Sequence, residues 1–182
     1  MPSPPLLVYD RPPDLATAYR EHAQFVWRSA KRLGAPVSSL EDVTQEVFLT
    51  AHRRWSEFRG EARFQTWLFA VTVRVVLSYR RTLSRHARRL EALARSKLDE
   101  STPDLFQRSD ASAILQRLLD GLDDERRMII VAIELEGMTA QEVADCFAIK
   151  VNTVYSRLRA TRKHLERSLA DPPAQPLLGG AR

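Results

Sequence analysis

The side chains best suited to chemistry lie between Thr139 and Lys163, in TAQEVADCFAIKVNTVYSRLRATRK, and the chemistry they suit is recognition rather than catalysis. At about 100° per residue, Val154, Leu158, Thr161 and Leu165 gather on one stripe of a helix. Asn152, Ser156, Arg159, Lys163 and Arg167 gather on the opposite stripe. Cations pair with phosphates, and amide, hydroxyl and guanidinium groups hydrogen-bond base edges, so this face fits a DNA groove. Tyr155, beside the stripe, is placed to stack on a sugar or base edge.

Such a face is useful only if something aims it. Thr139 followed by Glu142 is a capping box that starts a short helix, with Val143, Ala144 and Phe147 turned inward. After a tight break Asn152 is a good N-cap for the second helix. Two short helices of this kind form a helix-turn-helix, whose second helix enters the groove. The turn has no glycine, so Ala148 or Asn152 must carry any left-handed backbone angle. A plain surface helix with a solvated basic face is the competing reading, and the capped helix before it favours DNA.

Upstream, SSLEDVTQEVFLTAHRRW pairs Ser38 with Glu41 as a second capping box and sets Leu40, Val43, Val47 and Ala51 on a buried stripe. Its other side shows Asp42, Gln45, Glu46 and Leu49. That face fits either a docking surface for a basic partner helix or a solvated face whose leucine lies under a neighbour. In residues 55–81, Trp55, Phe58, Phe64, Trp67 and Phe69 interleave with Arg59, Arg63, Arg74, Arg80 and Arg81. Aromatics beside arginines suit unpaired nucleic acid, which offers a π-face and a phosphate at every nucleotide. Trp67 and Phe69 read as core, whereas the arginines do not.

The whole chain has 182 residues and a net charge of +5, which favours an anionic partner. Its single cysteine, Cys146, sits inside a helical pattern and reads as a small core residue, so no disulfide framework is expected and a reducing, cytoplasmic setting fits. No apolar run is long enough to span a bilayer. His22, His52, His86 and His164 are scattered, and no Gly-rich loop is present to cradle a phosphate; no catalytic residue, metal site, cofactor or small-molecule substrate is expected. The expected division is a Pro-rich arm at 1–13, a helical domain at 14–84, a linker at 85–110 that is helical in its first half, a second helical domain at 111–169 broken at Gly121 and Gly137, and a disordered tail at 170–182. The fold class is all-α, two small domains on a flexible tether.

Three stretches in this order, EDVTQEVFLTAHRRW, FRGEARFQTWLF and GMTAQEVADCFAIKVNTVYSRLRATRKHL, resemble the extracytoplasmic-function branch of the bacterial sigma-70 family over roughly residues 14–169. The resemblance implies a sigma region 2 domain and a sigma region 4 domain, core RNA polymerase (the largest-subunit clamp helices and the flap) and promoter DNA as partners, and an anti-sigma factor as inhibitor. It implies core-polymerase docking by Asp42, Gln45, Glu46 and Leu49. Capture of the melted -10 strand falls to Phe58, Arg59, Arg63, Phe64, Trp67, Arg74, Tyr79, Arg80 and Arg81. Reading of the -35 element falls to Asn152, Thr153, Tyr155, Ser156, Arg157, Arg159, Arg162 and Lys163. The chain departs from the family's frequent pattern at Val73, Arg74 and Ser78, and at Lys150 and Asn152 in the turn. A stand-alone helix-turn-helix regulator is the alternative function.

Overall fold

The structure, a computed structural model, describes residues 13–58, 60, 63–93 and 110–170, with side chains from 86 to 93 and at 110 left aside. Every regular element among them is helical: α1 (Leu15–Arg32), α2 (Leu40–Arg53), α3 (Phe64–Leu93), α4 (Asp110–Asp120), α5 (Asp124–Ile130), α6 (Ala140–Phe147) and α7 (Val151–Ala170). The all-α expectation holds. Residues 1–12 of the arm, 94–109 of the expected linker, all of the tail after Ala170, and Arg59 lie outside the described residues. α3 runs unbroken through the expected boundary at 84/85.

α1, α2 and α3 pack as a three-helix unit. Asp14 caps α1 by accepting from the Thr17 amide at 3.1 Å, and the helix buries Ala18, His22, Phe25, Val26, Ser29 and Ala30. α2 buries Leu40, Val43, Val47 and Ala51 as its spacing predicts. The expected Ser38–Glu41 capping box does not form. A 3-10 turn over Val37–Ser39 leads straight into the helix, so Ser39 occupies the cap position with no side-chain hydrogen bond and backbone carbonyls take over the first amides. α3 brings Phe64, Leu68, Phe69, Val71 and Val76 into the same core. An aromatic group closes the lower end: Phe64 lies 5.4 Å from Phe58, 5.6 Å from Trp67 and 6.2 Å from Trp55 between ring centroids. The Phe58 and Trp55 pairs are edge-to-face, and such aromatic pairs contribute roughly 0.5–1.5 kcal/mol each beyond the area they bury.

α4 to α7 form the second unit. Gly121 and Gly137 do interrupt the helices, and α5 continues into a π-helical turn over Val131–Leu135 before the chain turns at Gly137. The Thr139–Glu142 capping box is present in full: the Glu142 amide donates to Thr139 Oγ1 at 3.1 Å, and the Thr139 amide donates to Glu142 Oε2 at 2.8 Å. The break after α6 is carried by Ala148, at φ 52° and ψ 44°. Asn152, expected to cap α7, lies inside it. The helix begins two residues sooner than that cap would set, at Val151, and the Lys150 carbonyl already accepts from Thr153 and Val154.

The two units are packed on each other. Their buried side chains form one continuous core, and polar groups cross the joint. Arg127, with its side chain 5% exposed, reaches from α5 to the end of α1 and donates to the Leu33 carbonyl at 3.3 Å. It lies so close to Gly34 that a Cβ there would stand 1.9 Å from its Nη1, and Gly34 also holds φ +91°. Only glycine fits both demands.

A left-handed alanine is strained by about 1–2 kcal/mol, more than the roughly 0.4–1 kcal/mol of unfolded-state entropy that a glycine adds. Ala148→Gly is therefore expected to raise the stability of the chain by about 0.5–1 kcal/mol, and Ala148→Val to lower it by more than about 1 kcal/mol, read from urea unfolding midpoints at constant slope.

Candidate nucleic-acid interface

α7 is held from behind and bare in front. Val154, Leu158 and Thr161 are buried against the rest of the second unit, while Asn152, Tyr155, Ser156, Arg159, Arg162 and Lys163 are exposed and Thr153 and Arg157 are half-buried. Tyr155 is 58% exposed, the most open large apolar side chain described. The predicted row of Asn152, Ser156, Arg159, Lys163 and Arg167 is thus on one solvent face. Two of the expected contact residues are tied within the chain: Arg157 Nη2 lies 2.9 Å from Glu125 Oε2, and Arg162 pairs with Glu134. These bonds anchor α7 to α5 and the π turn, which fixes the pitch of the helix. α6 in turn is fixed by its capping box. Burial opposes ionisation of Glu142, but the hydrogen bonds from Thr139 and Thr66 and the charge of Arg63 carry its carboxyl below the usual range.

In the first unit the residues expected to hold a strand divide in two. Arg63, Arg74 and Arg81 are exposed, and Trp67, Tyr79 and Arg80 are half-buried on α3. Phe58 and Phe64 are core residues, 8% and 0% exposed, so neither offers a face to a base. Their π surfaces are spent on each other and on the two tryptophans, and they support the loop from inside. Arg59 is outside the described residues. Arg80 is engaged by Asp124 of the second unit. On α2, Asp42, Gln45 and Glu46 are exposed, and Leu49 is 47% exposed rather than covered by a neighbour.

Spacing within single helices gave no hint of the joint. Ser29 Oγ donates to Glu136 Oε1 at 2.9 Å, and Arg32 Nη1 stands at 2.9 Å from the same oxygen, although these partners are more than a hundred residues apart. Burial raises the Glu136 carboxyl above its usual range even with these two partners. Cys146 is half-buried, as expected of a small inward residue, and its thiol lies 3.8 Å from the Thr66 carbonyl, with burial pushing its pKa up to about 11. Among the described residues no group of His, Cys, Asp and Glu is arranged to hold a metal, and no helix is long and apolar enough to cross a membrane.

Comparison with known proteins adds family models. Residues 18–86 match the sigma-70 region 2 model, and residues 112–165 match the sigma-70 region 4 model. The chain belongs to the sigma-70 family. Its relatives place it in the extracytoplasmic-function branch. It is 32% identical over 156 residues to the ECF RNA polymerase sigma factor SigE of Mycolicibacterium smegmatis, a match covering 83% of this chain and 60% of that protein. It is 28% identical over 153 residues to the ECF RNA polymerase sigma-E factor of Escherichia coli K12, covering 79% of this chain and 78% of that one. Solved structures share the fold: the sigma factor RpoE of Bartonella quintana, in complex with the anti-sigma factor NepR, superposes with a TM-score of 0.69 at 18% identity, covering 88% of this chain and 99% of that one. CnrH, in complex with the cytosolic domain of CnrY, gives 0.63 at 24% identity, over 87% and 89%. The first unit is therefore sigma region 2, and the second is sigma region 4.

Arg159 stands on the exposed face of α7, whereas Arg162 is held by Glu134, and the two are expected to behave differently in DNA binding. Arg159→Ala costs about 1–3 kcal/mol at one or two base positions, and Arg162→Ala weakens all duplexes evenly. Binding to a library of single-base promoter variants at fixed salt distinguishes these outcomes.

Proposed function

We propose that this sigma factor docks on core RNA polymerase through the α2 face, reads the -35 element as duplex with α7, and holds the melted -10 strand along α3. The observation that carries the reading is the exposed, aliphatic-backed face of Tyr155, Ser156, Arg159 and Lys163 on α7, joined in one chain to the acidic face of Asp42, Gln45, Glu46 and Leu49 on α2. An acidic face with an exposed leucine at its centre suits a basic helix of a partner, and the polymerase clamp helices are that proposed partner.

On the second unit an apolar groove of about 290 Å³, lined by Leu115, Leu118, Leu165 and Leu169, suits an apolar segment of the polymerase flap. On α3 the proposed strand contacts are Arg63, Trp67, Arg74, Tyr79, Arg80 and Arg81, with Phe58 and Phe64 supporting them from the core. Taking a base out of the stack costs a few kcal/mol, and stacking on protein offsets about 1–3 kcal/mol per base. Each base-edge contact on α7 adds discrimination of the same order. In this scheme the bond-forming chemistry belongs to the polymerase, and the setting is the cytoplasm. A protein inhibitor of the anti-sigma kind, as in the complexes of RpoE and CnrH, is a further proposed partner.

The test is transcription from a linear promoter template with purified core polymerase and this protein alone. Defined start sites support the reading. Duplex binding without initiation returns a stand-alone helix-turn-helix regulator. Glu46→Lys reverses the docking charge while leaving the buried stripe of α2 untouched, so it is expected to reduce co-purification with core polymerase by tenfold or more with an unchanged helical spectrum.

A further inference from the structure

We propose that Glu125 and Glu134 are positioning residues for duplex binding, each aiming one arginine of α7 at one of the two phosphate backbones that wall the groove. The assignment rests on the duplex-reading role proposed for α7.

The two ion pairs straddle the exposed row. Ser156 and Lys163 are two turns apart and lie within about 20° of each other at about 100° per residue. Arg157 follows Ser156 and Arg162 precedes Lys163, which sets the two arginines about 100° to either side of the row. The major groove is about 12 Å wide, and a helix with its side chains is about 10–12 Å across. A side chain on the flank of a seated helix therefore meets a backbone, while one in the row meets base edges.

Each flanking arginine is tied from behind by a carboxylate. Arg157 Nη2 lies 2.9 Å from Oε2 of Glu125, in the first turn of α5. Arg162 Nε donates at 2.9 Å to Oε1 of Glu134, in the π turn. Neither pair uses Nη1. A guanidinium carries five N–H donors in a rigid fork, so one edge grips the carboxylate and the other remains for a phosphate oxygen. The glutamate side chains are 66% and 39% exposed, and pairs this open add little to folding stability. Their effect falls on the arginines: a long side chain already ordered before binding loses less rotamer freedom on reaching its phosphate. Arg157 and Arg162 then fix where the helix sits, and Arg159 and Lys163 between them are left to the bases.

Glu125→Gln and Glu134→Gln test this in the full chain, since each removes a charge and keeps the shape of the side chain. The probe is the best-bound member of a pool of random-sequence duplexes of about two helical turns, with its single-base variants, titrated over a series of salt concentrations. Each variant is expected to bind about two- to tenfold more weakly, by the same factor for every member of the set. The slope of log K against log salt is expected to become shallower by about 0.9, the value for one phosphate. Simple charge attraction predicts the reverse, because each change raises the net charge by one. Tighter binding, a slope that steepens or stays unchanged, or losses confined to particular bases each overturn the assignment. In an Arg162→Ala background Glu134→Gln is expected to cost nothing further, and an added loss there shows that the glutamate acts through another group and overturns its part. A purely structural role moves the urea unfolding midpoint and leaves the salt slope in place. A parent that selects no sequence from the pool removes the duplex-reading role and the positioning role with it, whereas a selective parent whose variants bind unchanged removes the positioning role alone.

Discussion

A buried carboxylate governs how the two halves of this molecule meet. Glu136 lies at the end of the π turn, where the chain must swing through Gly137 to start α6, and it is pressed against α1 with its side chain 5% exposed. Taking an ionised carboxylate out of water costs several kcal/mol, so it can stay there only because Arg32 and Ser29 both reach it. Loss of Arg32 leaves a nearly uncompensated charge, whereas the intact pair adds little net stability. The joint is therefore specific in register but modest in strength. Arg127 repeats the pattern in mirror image, a buried cation from region 4 that caps the last carbonyls of α1 across a glycine.

That balance differs from what holds each half together. Region 2 is built on large apolar side chains with no exposure, Phe64, Phe69, Leu68 and Leu40 among them, and on aromatic contacts that need no counter-ion. Region 4 has a smaller apolar centre around Ile129, Val131, Val143 and Val154, and makes up for it with the capping box of α6 and the ion pairs that tie α7 to Glu125 and Glu134. Fully buried aliphatic and aromatic groups contribute roughly 1.5–3 kcal/mol each, while exposed ion pairs contribute at most about 1 kcal/mol.

The helices and their inward faces were legible in the sequence because helical periodicity is local. The stripes of α2 and α7, the breaks at Gly121 and Gly137, the Thr139–Glu142 box and the basic row of α7 are all set by residues within a few turns of each other. Misreadings came from competition at that same short range. Ser38 lost its capping role to a 3-10 turn, and Asn152 lost its own to a helix that begins at Val151. Phe58 and Phe64 looked like strand contacts because aromatics beside arginines serve both a core and a stacking platform, and only the packed structure assigns them to the core. The joint was invisible for a deeper reason. Ser29, Arg32 and Glu136 are ordinary surface residue types, and nothing in their own neighbourhoods marks them as partners.

In the proposed function, reading two promoter elements at once requires the halves to separate. With the units packed together, Asp124 reaches Arg80 and Glu142 reaches Thr66, so α6 lies within a side chain's length of α3. Duplex DNA rises 3.4 Å per base pair along each strand. The chain between Leu93 and Asp110, fully extended, spans at most roughly 56–61 Å, about seventeen base pairs of duplex. The covalent connection therefore permits the two proposed DNA-binding faces to lie more than one helical turn of duplex apart. The joint adds ion pairs and hydrogen bonds to a continuous apolar core. A purely apolar interface of the same extent would hold the halves together regardless of anions. The charge pairs within this joint, unlike its apolar part, are weakened by salt.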